Sequence, residues 1–161
     1  VEGCRIESYT QRKFNIFVDA DACPVKQEIL ELADTYNVHV IFVASYAHVQ
    51  HKIDAGEWRY VDMSREAVDL YIMNHVKEHD VVVTQDTGLA SILVKQGVYA
   101  LSPRGKYFNK EDMDTILFFR YVSAKERRAG HHSKGPKPFS EEERQRFITN
   151  MDKLLSKLAG I

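Results

Sequence analysis

An open α/β sheet, mostly parallel and ordered 3-2-1-4-5, is the fold class this sequence predicts, and three observations predict it. Short β-rich apolar runs alternate with helically spaced ones through residues 14–101, which is the pattern of consecutive βαβ units. Val81-Val82-Val83 is unbroken and apolar, as expected of a strand covered on both faces. Two of the runs lead into aspartate, 14–18 directly into Asp19 and 81–84 through Gln85 into Asp86. Sheets of this class present their chemistry at the carboxyl ends of strands.

Each element follows in order. Residues 1–13 are mixed polar without period and read as an irregular lead-in. Strand 1 covers 14–18 and runs into Asp19-Ala20-Asp21-Ala22-Cys23-Pro24. Pro24 suits a first helical turn, where its missing N–H costs nothing. Val25, Ile29, Leu32, Ala33 and Tyr36 then recur at helical spacing. Residues 38–43 make strand 2, and 44–57 a long connection that carries His48 and His51. Strand 3 is short, at 58–61. Ser64 is expected to cap a helix reaching Glu78, with Val68 and Ile72 on its inner face. Strand 4 at 81–84 leads into Asp86, and Thr87 is expected to cap a helix over 89–96. Gly97 stops that helix, and 98–101 forms strand 5.

The texture changes after Leu101. Residues 1–100 hold 9 Lys and Arg against 15 Asp and Glu, whereas 101–161 hold 13 against 8. Pro103-Arg104-Gly105-Lys106 reads as a turn, and Asn109 as the cap of a helix over 111–125. A basic loop then runs to Lys137. Ser140-Glu141-Glu142-Glu143 fits a capping box, with Phe147, Met151, Leu154, Leu155 and Leu158 as the inner face of a last helix. Residues 14–161 are thus expected to form a single domain, with 14–101 as the sheet core and 102–161 as a basic loop and helical annex.

The totals limit the function classes. With 44% hydrophobic and 28% charged residues the composition is that of an ordinary water-soluble protein. No apolar run approaches the roughly 18 residues of a membrane span, and residues 1–13 lack the apolar core of a signal peptide. Cys4 and Cys23 are too few for a disulfide framework. A cytoplasmic protein without membrane association is expected; self-association stays open.

In a sheet of order 3-2-1-4-5, strands 1 and 4 are neighbours and a crevice opens where the order reverses. That brings Asp19, Asp21 and Asp86 to one rim, with Asp69 and Glu66 of the preceding helix able to approach it. Carboxylates gathered without a matching set of cations call for hard divalent ions with oxygen ligands, Mg²⁺ or Mn²⁺. One or two such ions would activate water for phosphodiester cleavage, with Thr84 beside Asp86 orienting a water. The plainer alternatives are an Asx turn and helix cap at Asp86, a turn at Asp19 and Asp21, and a solvated helix face at Asp69. Cys23 reads as a small buried thiol. His48 and His51 lack further zinc ligands.

These residues resemble a known family. Val18-Asp19-Ala20-Asp21-Ala22-Cys23-Pro24-Val25, Val82-Val83-Thr84-Gln85-Asp86-Thr87-Gly88-Leu89-Ala90, Pro103-Arg104-Gly105, and Arg127 with Gly130, Gly135-Pro136 and Phe139 are similar to the YaiI/YqxD family of bacterial proteins. That group's fold is similar to the PIN-domain ribonucleases. The resemblance implies a PIN-like three-layer α/β/α architecture with a C-terminal helical annex. It also implies an acidic metal pocket of Asp19, Asp21, Asp69 and Asp86, and divalent-metal-dependent cleavage of RNA or other single-stranded nucleic acid. Asp69 stands where the family usually has a run richer in acids.

The basic annex fits such a substrate. Phosphate contacts supply most of the affinity for nucleic acid, and Arg104, Lys106, Arg127, Arg128, Lys134 and Lys137 are candidates to make them. Tyr107, Phe108 and Phe139 are candidates for base stacking, or else core aromatics. Two other functions compete: a non-catalytic nucleic-acid-binding or regulatory protein, and a phosphohydrolase of the haloacid-dehalogenase kind with an aspartyl nucleophile. The Ala22-Cys23-Pro24 continuation departs from the latter.

Overall fold

In the computed structural model, residues 14–46, 55–64, 66–110, 121–128, 130 and 137–160 are described. Six strands form one sheet: β1 (Asn15–Asp19), β2 (His39–Ser45), β3 (Glu57–Val61), β4 (Val81–Val83), β5 (Tyr99–Leu101) and β6 (Tyr107–Phe108). The order is β3-β2-β1-β4-β5-β6. All pairs are parallel except β5 with β6, which is antiparallel. The expected order 3-2-1-4-5 is therefore found, with one strand added at its edge. The sequence pattern assigns Tyr107-Phe108 to no element. Gly105, at φ +90°, reverses the chain so that these two residues pair with Leu101 and Ala100.

Among the described residues, helices α1 (Lys26–Tyr36), α2 (Ala67–His75), α3 (Thr87–Lys95) and α4 (Glu141–Ala159) flank the sheet. Strand alternation sorts side chains to two faces. Ile16, Val18, Phe42, Val81 and Val83 point to one, where Val25 and Ile29 of the α1 segment and Phe147, Met151 and Leu155 of α4 cover them. Phe17, Val43 and Val82 point to the other, beneath Val68 and Ile72 of α2 and Leu89 and Leu93 of α3. The result is a three-layer α/β/α arrangement. Phe42, Phe147, Ile16, Ile29, Ile72 and Leu93 are among the largest fully buried side chains. Each such aliphatic or aromatic group removed from water stabilises the fold by about 1.5–3 kcal/mol.

Several boundaries differ from expectation. Pro24 lies in a turn ahead of α1, because residues 20–22 first make a 3-10 turn and Val25 is the N-cap. Helix α2 is capped at Glu66 rather than Ser64, whose carbonyl accepts from Ala67 N–H at 3.2 Å. It ends at His75 rather than Glu78, since Val76 is extended and His79 adopts φ +75°. The cap of α3 is Asp86, not Thr87. The capping box Ser140/Glu143 is present as read from the sequence.

The annex is fastened to the sheet by a small polar lattice. Gly105 packs so closely on α4 that an added Cβ would meet Phe147 N at 2.7 Å. Asn150 Nδ2 donates to Gly105 O at 2.6 Å, and Tyr107 Oη donates to Asn150 O. Arg104 reaches both oxygens of Glu143 at 2.9 and 3.0 Å and the carbonyl of Lys137 at 2.5 Å. Residues 121–128 are helical. No helix of the described residues is long and apolar enough to cross a membrane.

Candidate metal centre at the switch point

The sheet order reverses between β1 and β4, because β2 and β3 extend one way and β5 the other. Phe17 is level with Val82 and Val18 with Val83, so the next level sets Asp19 beside Thr84. Both follow the parity of Phe17 and Val82 and face the α2/α3 layer. Thr84, fully buried, donates its hydroxyl hydrogen to Asp19 Oδ2 at 3.2 Å. Thr84 Oγ1 in turn accepts the N–H of Asp86 at 3.0 Å. One hydroxyl thus joins the end of β1 to the start of α3.

Asp86 caps α3 by accepting from Leu89 N–H at 3.1 Å, a bond that also fixes the direction of its carboxylate. Asp69 sits in the first turn of α2. It is hydrogen-bonded to Asp86, and its carboxyl is pushed up to about 7 by burial first, then by the charge and hydrogen bond of Asp86, then by Asp19 and Glu66. The Asp19 carboxyl is also raised, mainly by burial, with Asp21 and Asp86 adding repulsion and the Thr84 hydrogen bond opposing. Raised carboxyls surrounded by other carboxyls are what an acidic hollow produces when protons are its only counter-charge. Asp21 leans on Asp19 electrostatically, while its own Oδ1 accepts Ser45 N–H at 2.9 Å and so ties the end of β2 to the turn after β1.

The structure therefore brings Asp19, Thr84, Asp86 and Asp69 together, with Asp21 alongside. As the side chains sit, no three His, Cys, Asp or Glu groups among the described residues stand at metal-ligand spacing. Asp69 and Asp86 instead close on each other through a hydrogen bond. The donor chemistry still suits hard divalent ions, since each carboxyl is oxygen-only and the strongest charge influences on Asp69 are all anionic. Cys23 is buried, and burial pushes its thiol up to about 11. It is a packed side chain of the first core, not an activated nucleophile.

The candidate phosphate contacts separate into groups. Arg104 is committed to Glu143 and Lys137. Lys106, Arg127, Arg128 and Lys137 are exposed. Lys134 lies outside the described residues, as do His48 and His51. Phe108 is buried against Ala90, Val94 and Ala100. Tyr107 and Phe139 pack on the first core, and the Arg144 guanidinium lies over the Phe139 ring at 5.1 Å. All three aromatics are packing residues.

Sequence reasoning missed Asp80, a carboxylate only 4% exposed at the opposite end of β4. Its oxygens accept Asn15 N–H at 3.0 Å and Lys77 N–H at 2.8 Å. The available signal was a lone acid directly before an apolar strand, where only backbone donors can satisfy it.

Comparison with known proteins follows the same lines. Residues 17–157 match the family described as Uncharacterized BCR, YaiI/YqxD. A UPF0178 protein of Bacillus cytotoxicus is 56% identical over 91% of this chain and 95% of its own length. One of Bacillus velezensis is 50% identical over 100% and 96%, and one of Listeria welshimeri 46% identical over 82% and 89%. The solved structure of Rae1 (YacP) from Bacillus subtilis is similar with a TM-score of 0.39 and 19% identity, over 89% of this chain and 99% of that one. By the extent of the family match and the identity of these relatives, the chain belongs to the YaiI/YqxD family.

Proposed function

We propose that the protein is a divalent-metal-dependent phosphodiesterase acting on RNA or other single-stranded nucleic acid. The observation that carries this reading is that the Thr84 hydroxyl joins the Asp19 carboxylate to the Asp86 backbone, while Asp69 of α2 approaches the Asp86 carboxyl. Asp19 and Asp86 would be the principal ligands of Mg²⁺ or Mn²⁺, with Asp69 and Asp21 completing the set. When bound, such an ion supplies charge compensation at a phosphate and activates water. The chain's own part is to hold the ligands. Thr84 keeps Asp19 and the start of α3 in register, Leu89 N–H aims Asp86, and Asp69 and Asp86 would part to hold an ion. Lys106, Arg127, Arg128 and Lys134 are the proposed phosphate escorts, attracting a polyanion toward a rim it would otherwise avoid.

A non-catalytic reading has one observation in its favour. Asp21 and Asp86 each serve the fold, one on Ser45 N–H and the other as a helix cap. One assay separates the two: purified protein with RNA and DNA oligonucleotides, Mn²⁺ present or chelated. Metal-dependent shortening that disappears in Asp19→Asn supports the enzyme. Binding without turnover under every divalent ion rejects it.

A further inference from the structure

Four aromatic rings run in one file from the core to the surface at the β2–β3 edge. Phe42, fully buried, stacks on Trp58 with centroids 4.7 Å apart and planes 18° from parallel. Trp58 stacks on Tyr60 at 6.0 Å and 20°. Tyr60 stacks on Tyr46 at 6.2 Å and 24°. Tyr46 is 59% exposed. The file is rigid at its inner end, where the Trp58 indole N–H donates to Ala55 O at 3.2 Å.

The outer end is tied to the carboxylates. Ser45, immediately before Tyr46, gives its N–H to Asp21 Oδ1, so the position of the outermost ring and that of Asp21 are set together. Tyr60 is level with Ala44, and Val43 with Asp19. The platform and the acids thus share the carboxyl rim, two strands or about 10 Å apart. They project from opposite faces, since Trp58 and Tyr60 pack on the first core and Asp19 has the parity of Phe17.

We propose that the Tyr46–Tyr60 pair is a stacking platform for an unpaired nucleobase, whose strand crosses the sheet rim to place a neighbouring phosphate at the carboxylate cluster. An aromatic face open to solvent, held by a preformed stack, accepts any base without reading its edge. A base within a duplex has both faces covered and is refused. The proposal deepens the phosphodiesterase reading and rests on it for the direction of the strand.

The test uses the full-length protein, a fluorescently labelled oligouridylate, and an all-abasic strand of equal length. Affinity is read by anisotropy with Ca²⁺ in place of Mn²⁺, and cleavage of both strands by electrophoresis with Mn²⁺. Wild type is expected to hold the base-bearing strand more tightly than the abasic one. Tyr46→Ala is expected to weaken the former about tenfold, to the affinity of the abasic strand. Tyr46→Phe, which keeps the ring, is expected to match wild type. Equal affinity of wild type for the two strands, or of Tyr46→Ala and wild type for the oligouridylate, overturns the platform. Base-dependent binding with no cleavage of either strand rejects the phosphodiesterase and leaves the platform standing.

Discussion

Thr84 and Asp19, 65 positions apart in the chain, meet through a hydroxyl–carboxylate hydrogen bond of 3.2 Å at the point where the sheet order reverses. The Thr84 oxygen also accepts Asp86 N–H, so removing it strands a donor as well as an acceptor. Thr84→Val keeps the shape and deletes the hydroxyl. It is expected to lower unfolding free energy by about 1–3 kcal/mol, read by urea denaturation, and to weaken Mn²⁺ binding by calorimetry. An unchanged stability would show the hydroxyl to be dispensable.

The pH dependence of stability follows from Asp69. Its carboxyl titrates near 7 in the folded chain against an ordinary 3.8, so between those values the folded state holds a proton that the unfolded state has lost. Stability therefore falls as pH rises from about 4 to 7 and is level above. Asp19, also raised, acts in the same direction. Asp69→Asn supplies a permanent donor to Asp86 and removes the charge. In chelator-treated protein it is expected to flatten the slope and to exceed wild type in stability at pH 8. A slope as steep as that of wild type would remove Asp69 as its source.

Metal should act oppositely to that repulsion. Mn²⁺ is expected to raise the melting temperature of wild type at pH 8 by mass action, and to release protons below pH 7 as it displaces the one held by Asp69. In Asp86→Asn the cap on Leu89 N–H survives, because Asn caps as well as Asp. That variant is expected to fold normally and lose the Mn²⁺ shift and Mn²⁺-dependent cleavage. A full shift would exclude Asp86 as a ligand.

Asp80 provides the contrast. Asp80→Ala leaves the Asn15 and Lys77 N–H groups without their acceptor. It is expected to cost roughly 2–4 kcal/mol with no change in Mn²⁺ affinity per folded molecule. Loss of metal binding in a folded Asp80→Ala protein would connect the two ends of β4.

Gly105→Ala forces a side chain into the α4 backbone at a positive φ. About 2–3 kcal/mol of destabilisation is expected by urea denaturation. Stability unchanged would mean that α4 yields at no cost.

The sheet order was legible because periodicity changes cleanly from β to helical at each connection, and because Val81-Val82-Val83 can only be central. That the carboxyl ends of β1 and β4 lie side by side followed from that order. What was not legible was local. Asp86 rather than Thr87 caps α3, because both residue types suit a cap and only the extended backbone at Asp86 decides between them. β6 escaped because two residues carry no period, and its pairing depends on the reversal at Gly105. Phe42, Tyr46, Trp58 and Tyr60 had the alternation of a shared face, yet their stacking needs the β2–β3 register, which sequence spacing does not give.

That β4 seats against β1 only after β2 and β3 have been made has a consequence during synthesis. A nascent chain that has emerged through α2 already carries Asp19, Asp21 and Asp69, yet it lacks the strand that positions the remaining acid. Three of the four acids exist as a loose set of charges until the later segment is inserted, so the hollow is completed in one step with that long-range closure.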